Sequence, residues 1–178
     1  MNKASRAKRS AASWLVELAK GRYGEYALSV LAALLGVACS LIPYFIIIRI
    51  ITALVNGTAE LSHCLTLCAW MAGCWVLRYV LHSVSTSLSH HATFHVLANT
   101  RTQLLDKLAT LPLGTVLDRS SGSYKNIIVE RVDSIETTLA HLLPEMTTNI
   151  VGALAVLVLL FFEDWRMGLS MLIVVPLG

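Results

Sequence analysis

An all-α fold of polytopic membrane helices, with long helical extensions outside the bilayer, is what this sequence predicts. Three observations carry the prediction. Of 178 residues, 56% are hydrophobic and only 14% charged, with a mean hydropathy of +0.67. A soluble domain carries about 25% charge, so the composition excludes an ordinary soluble enzyme and points to an integral membrane protein. Uncharged apolar runs recur at Ala27–Ile48, Leu61–Leu77 and Met146–Phe162, close to the roughly 20 residues that cross a hydrocarbon core of about 30 Å. Finally, the basic residues are segregated between the segments that separate these runs.

Taken in order, residues 1–25 form a basic tail with Lys3, Arg6, Lys8, Arg9, Lys20 and Arg22. The apolar run that follows is longer than a signal-peptide core and starts after a polar lead, so it reads as a retained span. Spans are expected at about 26–55, 61–84 and 137–162, with an incomplete fourth at 166–178. Met167–Gly178 stops in mid-bilayer with its last carbonyls unpaired, which makes the chain a fragment or a truncated gene product by expectation. Between the second and third spans lie Arg101, Lys107, Arg119, Lys125 and Arg131, whereas Asn56–Ser62 has no basic residue. The positive-inside rule therefore places the amino terminus and the polar segment 85–136 in the cytoplasm.

Leu61–Leu111 has no proline and one glycine, Gly73, so it is expected as one helix of roughly 76 Å at about 1.5 Å per residue. Leu97, Leu104, Leu105, Leu108 and Leu111 share one face. Pro112 and Gly114 stop it, and a returning helix begins near Ser123. Ile128, Val132, Ile135, Leu139 and Leu142 recur in steps of four and three, an a/d seam for a neighbouring helix. Pro144 is placed to kink that helix as it enters the third span. Two arms thus meet at the apex Pro112–Gly122, where an apolar knob (Leu113, Val116, Leu117) precedes Asp118, Arg119 and a Ser-Ser-Gly turn. This geometry is that of a lever with a docking tip.

The stretches LLDKLATLPLGTVLDRSSG, VERVDSIE, HLLPE and FFEDWRMGLSMLIVVPL resemble the first membrane half of exporter-type (type I, or type IV fold) ABC transporters. The resemblance runs from the basic tail to the start of the fourth helix. It implies an ABC type-1 transmembrane domain over 26–178, an interfacial elbow helix at Trp14–Lys20 with Trp14, Leu15 and Leu18 toward lipid, and a coupling helix made of Leu113, Gly114, Thr115, Val116, Leu117, Asp118 and Arg119. Val116-Leu117 stand where the family often has paired aromatics, and Ser123-Tyr124 where it often has Glu-Leu. Ala140–Glu145 is similar to the branch that handles iron siderophores.

What the resemblance implies for function is a transmembrane subunit or domain of an ATP-driven transporter. It would form part of the substrate pathway, sit in membrane lipid of the bacterial inner membrane, and pair with ABC nucleotide-binding domains in a homo- or heterodimer. ATP and Mg are implied for the full-length parent or partner subunit. The alternative is a non-enzymatic polytopic anchor or adaptor, or a truncated pseudogene product. No G-x-x-x-x-G-K-[ST] occurs in the chain, so no catalytic or cofactor-binding residue is expected in it, and no nucleic-acid partner.

Ionisable groups at membrane depth are costly and functional by default. Arg78, His82 and Glu145 are therefore candidates for the substrate path; the alternative is an Arg78 that snorkels or pairs with a carboxylate such as Glu145. Arg49 lies at the end of the first run and snorkels. His90, His91 and His95 read as interfacial polar residues rather than metal ligands. Cys39, Cys64, Cys68 and Cys74 form no CxxC pair and read as small apolar filler.

Overall fold

The computed structural model describes residues 17–174. The helices are α1 (Tyr23–Val55), α2 (Leu61–Ala109), α3 (Leu113–Leu117), α4 (Ser121–Glu163) and α5 (Trp165–Val174), and no strand occurs among the described residues. Three of them, α1, α2 and α4, are long and apolar enough to cross a membrane. The 49 residues of α2 and the 43 of α4 correspond to about 73 and 65 Å of helix, roughly twice a bilayer core. The single helix expected over 61–111 is found to within two residues. Of the expected elbow helix Trp14–Lys20, the first three residues, Trp14 and Leu15 among them, lie outside the described residues. Its Leu18 packs on the apolar cluster described below rather than standing open to lipid.

The helix ends follow from local chemistry. Gly57, at φ +68°, ends α1 in the left-handed conformation that glycine adopts without steric cost. The Thr58 N–H then donates to the Ala53 carbonyl at 3.0 Å and the Gly57 N–H to that of Leu54 at 3.2 Å, the paired bonds of a Schellman cap. Pro112, with no N–H and an extended ψ of 139°, ends α2. Ser120 caps α4, its Oγ accepting from the Ser123 N–H at 3.3 Å. The Ser-Ser-Gly stretch expected as a turn is therefore the cap and first turn of a helix. Asp164 caps α5 through Oδ1, which accepts the Arg166 N–H at 2.8 Å.

The chain divides into two compact units. Among the described residues, the first comprises 17–29 together with Thr86–Leu143. Its core joins Ala19, Tyr26, Ala92, Val96 and Leu139, with Leu18 and Ile135 packed against them. Ser89 bonds to Ala140 and Arg101 to Asp133, so α4 returns antiparallel along α2. Small residues line this approach: Ser89, Ala92, Thr93 and Ala140 are fully buried, letting the backbones come close. Tyr26 and Thr93 share a buried hydrogen bond of 2.9 Å.

The a/d seam of α4 is realised in part. Val132 and Leu139 are buried and Ile135 joins the core, but Leu142 is half exposed. The reason is two π-helical segments, Asn126–Glu130 and Thr137–Leu142. Leu142 closes the second, where the wider turn departs from the α-helical period that the seam assumes. On α2, likewise, Leu97 is buried while Leu105 is exposed.

The second unit comprises Val30–Ser85 and the residues from Pro144 onward. Here Gly36 of α1 faces the Leu81 Cβ and the Arg78 carbonyl of α2, at 3.8 and 3.9 Å from where its own Cβ would stand. Gly168 is tighter: a Cβ there would meet the Phe161 ring at 2.6 Å. Ala normally favours a helix over Gly by about 1 kcal/mol. Overpacking reverses that sign, typically by about 1–3 kcal/mol. Gly168→Ala is therefore expected to lower the apparent melting temperature of the detergent-solubilised protein. A raised one would show that Phe161 yields freely.

Candidate functional site

Two places carry candidate residues: the tip between α2 and α4, and a cavity within the second unit.

At the tip, the Pro112 carbonyl starts α3 by accepting from the Thr115 and Val116 N–H groups at 2.9 and 3.2 Å. The Asp118 N–H closes it on the Gly114 carbonyl at 3.1 Å. The Tyr124 hydroxyl of α4 reaches the Thr115 carbonyl at 3.4 Å, so the tip is held from both sides. Leu113 and Leu117 lie one turn apart, so they share a face, and are 72% and 73% exposed. Val116 is half-buried and turned from them. The knob expected from three residues is thus a pair. Asp118 and Arg119 are exposed beside it, and Gly114 and Thr115 supply backbone on the open side. Burying a Leu side chain is worth about 1.5–3 kcal/mol. The ordered tip thus leaves two large apolar side chains exposed.

The cavity holds about 270 Å³ and is lined by Ala33, Gly36, Arg78, Tyr79, His82, Thr148 and Asn149. The structure thus brings Arg78 and His82 together, as their i,i+4 spacing on α2 requires. Glu145 is exposed and is not among the lining residues. Its place is taken one turn further along α4 by Thr148 and Asn149. Sequence reasoning missed both. The signal was the polar run Thr147-Thr148-Asn149 inside an otherwise apolar span. Arg78 stacks on Trp75, its guanidinium carbon 5.0 Å from the ring centroid.

The histidines form pairs in the first unit. His91 Nδ1 lies 3.1 Å from Glu25 Oε2, and its ring meets that of His95 edge-on at 4.8 Å. His90 packs on His141 at 4.8 Å and approaches Glu136 at 3.8 Å. Among the described residues, no group of three His, Cys, Asp or Glu side chains is placed to hold a metal ion. Cys68 is exposed and the other three cysteines are half-buried.

Long membrane-crossing helices joined by a capped helical tip, with no strand among the described residues, define an integral membrane protein of transporter type. Residues 26–178 match the ABC transporter transmembrane region, and the chain belongs to that family. It is 31% identical over 133 residues to the mycobactin import ATP-binding/permease protein IrtA of Mycolicibacterium thermoresistibile, covering 75% of this chain and 14% of that protein. Against IrtA of Mycobacterium tuberculosis it is 31% identical over 141 residues, covering 79% and 16%. It is also 26% identical over 106 residues to the glutathione/L-cysteine transport ATP-binding/permease protein CydD of Escherichia coli, covering 57% and 18%. The chain therefore spans less than a fifth of the length of these relatives.

Proposed function

We propose that this transmembrane domain forms half of a siderophore pathway driven by ATP hydrolysis, and that Leu113–Arg119 couples it to a nucleotide-binding domain. The observation that carries the coupling role is the exposed Leu113–Leu117 pair on an ordered tip. Mycobactin import in the names of the IrtA relatives supports the siderophore class. ATP and Mg belong to the nucleotide-binding domain of a longer parent or of a partner subunit. A homo- or heterodimer supplies the facing half of the pathway. Arg78 and His82 lie along the substrate path, with Glu145 nearer its edge. The domain sits in the inner membrane, spanning it at about 26–55, 61–84 and 137–162. The test is uptake of iron-loaded mycobactin by the full-length protein in liposomes. ATP-dependent accumulation is expected, and none in a variant whose nucleotide site is disabled. Uptake that ignores ATP would defeat the proposal.

The basic segments place the amino terminus and the tip in the cytoplasm. On a background lacking the four native cysteines, an impermeant thiol reagent should label Thr58→Cys in intact cells and leave Ser120→Cys unlabelled. The opposite pattern reverses the topology.

A further inference from the structure

The cavity around Arg78 has a chemistry more specific than a polar path. Among the described residues no carboxylate pairs with Arg78, and its charge rests on the Trp75 face. An arginine at membrane depth is costly, and a cation–π contact of this kind offsets only about 0.5–2 kcal/mol. An incoming anion offsets the rest. The other lining groups are not interchangeable. The Thr148 hydroxyl already donates to the Pro144 carbonyl at 2.9 Å, so toward the cavity it offers only lone pairs and accepts. Asn149 offers an amide with both a donor and an acceptor, and His82 a ring that donates or accepts. Ala33 and Gly36 keep one wall free of bulk.

We infer that this cavity is a subsite for an organic oxyanion that carries an N–H or O–H donor beside it, with Arg78 as the anion-binding residue and Thr148 and Asn149 as the residues that select for the donor. The inference rests on the transporter reading and deepens it. Chloride or sulfate satisfies Arg78 but brings no donor to Thr148. An uncharged lipid leaves the Arg78 charge unmet. An iron chelate bound through anionic oxygens and an amino-acid-like thiol share the required chemistry, and separate probes distinguish them.

The experiment uses the full-length protein in nanodiscs, titrated separately with iron-loaded mycobactin and with glutathione, alongside ATP-driven uptake in liposomes. For whichever probe binds, Arg78→Gln should weaken affinity at least about tenfold, the scale of one charge-assisted hydrogen bond. Arg78→Lys keeps the charge and should lose less. Thr148→Val, nearly the same shape, should weaken binding about three- to tenfold, and Asn149→Leu similarly. Raising the salt concentration should weaken binding to the wild type and not to Arg78→Gln, a response that a purely structural arginine does not give. Leu154→Ala, on an exposed part of α4, serves as the control. Wild-type uptake together with near wild-type affinity in Arg78→Gln and Thr148→Val overturns the subsite and leaves the transporter reading standing. Wild-type protein that binds and transports neither probe overturns both.

Discussion

Leu117→Asp in the full-length transporter should cut substrate movement per ATP hydrolysed by about tenfold or more, while substrate affinity stays near wild type. The expectation follows from where the side chain stands. Leu117 is 73% exposed at the end of a five-residue helix, so the substitution costs the isolated domain little. In a docked complex the same position is buried. Replacing it there forfeits about 1.5–3 kcal/mol of apolar burial and adds the desolvation of a carboxylate. Since about 1.4 kcal/mol is tenfold in an equilibrium constant, the tip should spend most of its time undocked. Asp118→Lys tests the polar flank and should act in the same direction, more weakly, because Asp118 is exposed and a charge pair formed at such a rim position would be screened. Leu113→Ala removes only part of one knob and should lie between wild type and Leu117→Asp. Uptake, ATP hydrolysis and co-purification of the nucleotide-binding domain have to be measured together. If Leu117→Asp and Asp118→Lys both assemble and transport at wild-type rates, the coupling role of Leu113–Arg119 is wrong.

The sequence made the membrane class and the course of α2 readable because those features rest on repeated, redundant signals. An uninterrupted 49-residue helix needs only the absence of breakers and a run of helix formers. The tip was legible through Pro112 and the resemblance that Leu111–Gly122 carries. What was not legible depended on single contacts. Ser120 reads as turn or as cap with equal ease until the Ser123 N–H is seen to point at its oxygen. The a/d spacing from Ile128 to Leu142 is regular in sequence, yet two π-helical segments break it in space. No side-chain period announces a π turn, since it arises from backbone bonding. Glu145 drew attention as a charge, while the cavity recruited the uncharged Thr148 and Asn149 one turn away. Hydropathy weighs charges heavily and ignores which side of a helix a hydroxyl occupies.

The second large effect concerns Ser89, whose role only the structure explains. Pro144 has no N–H. In α-helical register the Ala140 carbonyl would lack its donor, and in π-helical register the Leu139 carbonyl would. The Ser89 hydroxyl of α2 lies 2.9 Å from the Ala140 carbonyl and 3.2 Å from that of Leu139. One side chain thus serves both carbonyls whichever register α4 adopts next to the proline. Ser89 and Ala140 are both fully buried, so water cannot replace the bond. Ser89→Ala should therefore cost about 1–3 kcal/mol, the range for a buried polar group left unsatisfied. At about 2–4 °C per kcal/mol for a domain of this size, the apparent melting temperature falls by several degrees. Pro144→Ala restores an N–H able to bond Ala140, so in that background Ser89→Ala should cost less than half as much. A coupling near 1 kcal/mol is within the normal range for double-mutant cycles on two groups that serve the same carbonyl. Thermal unfolding of the four detergent-solubilised variants closes the cycle. An equal loss in both backgrounds would mean that Ser89 contributes packing alone and that the carbonyls next to Pro144 are satisfied some other way.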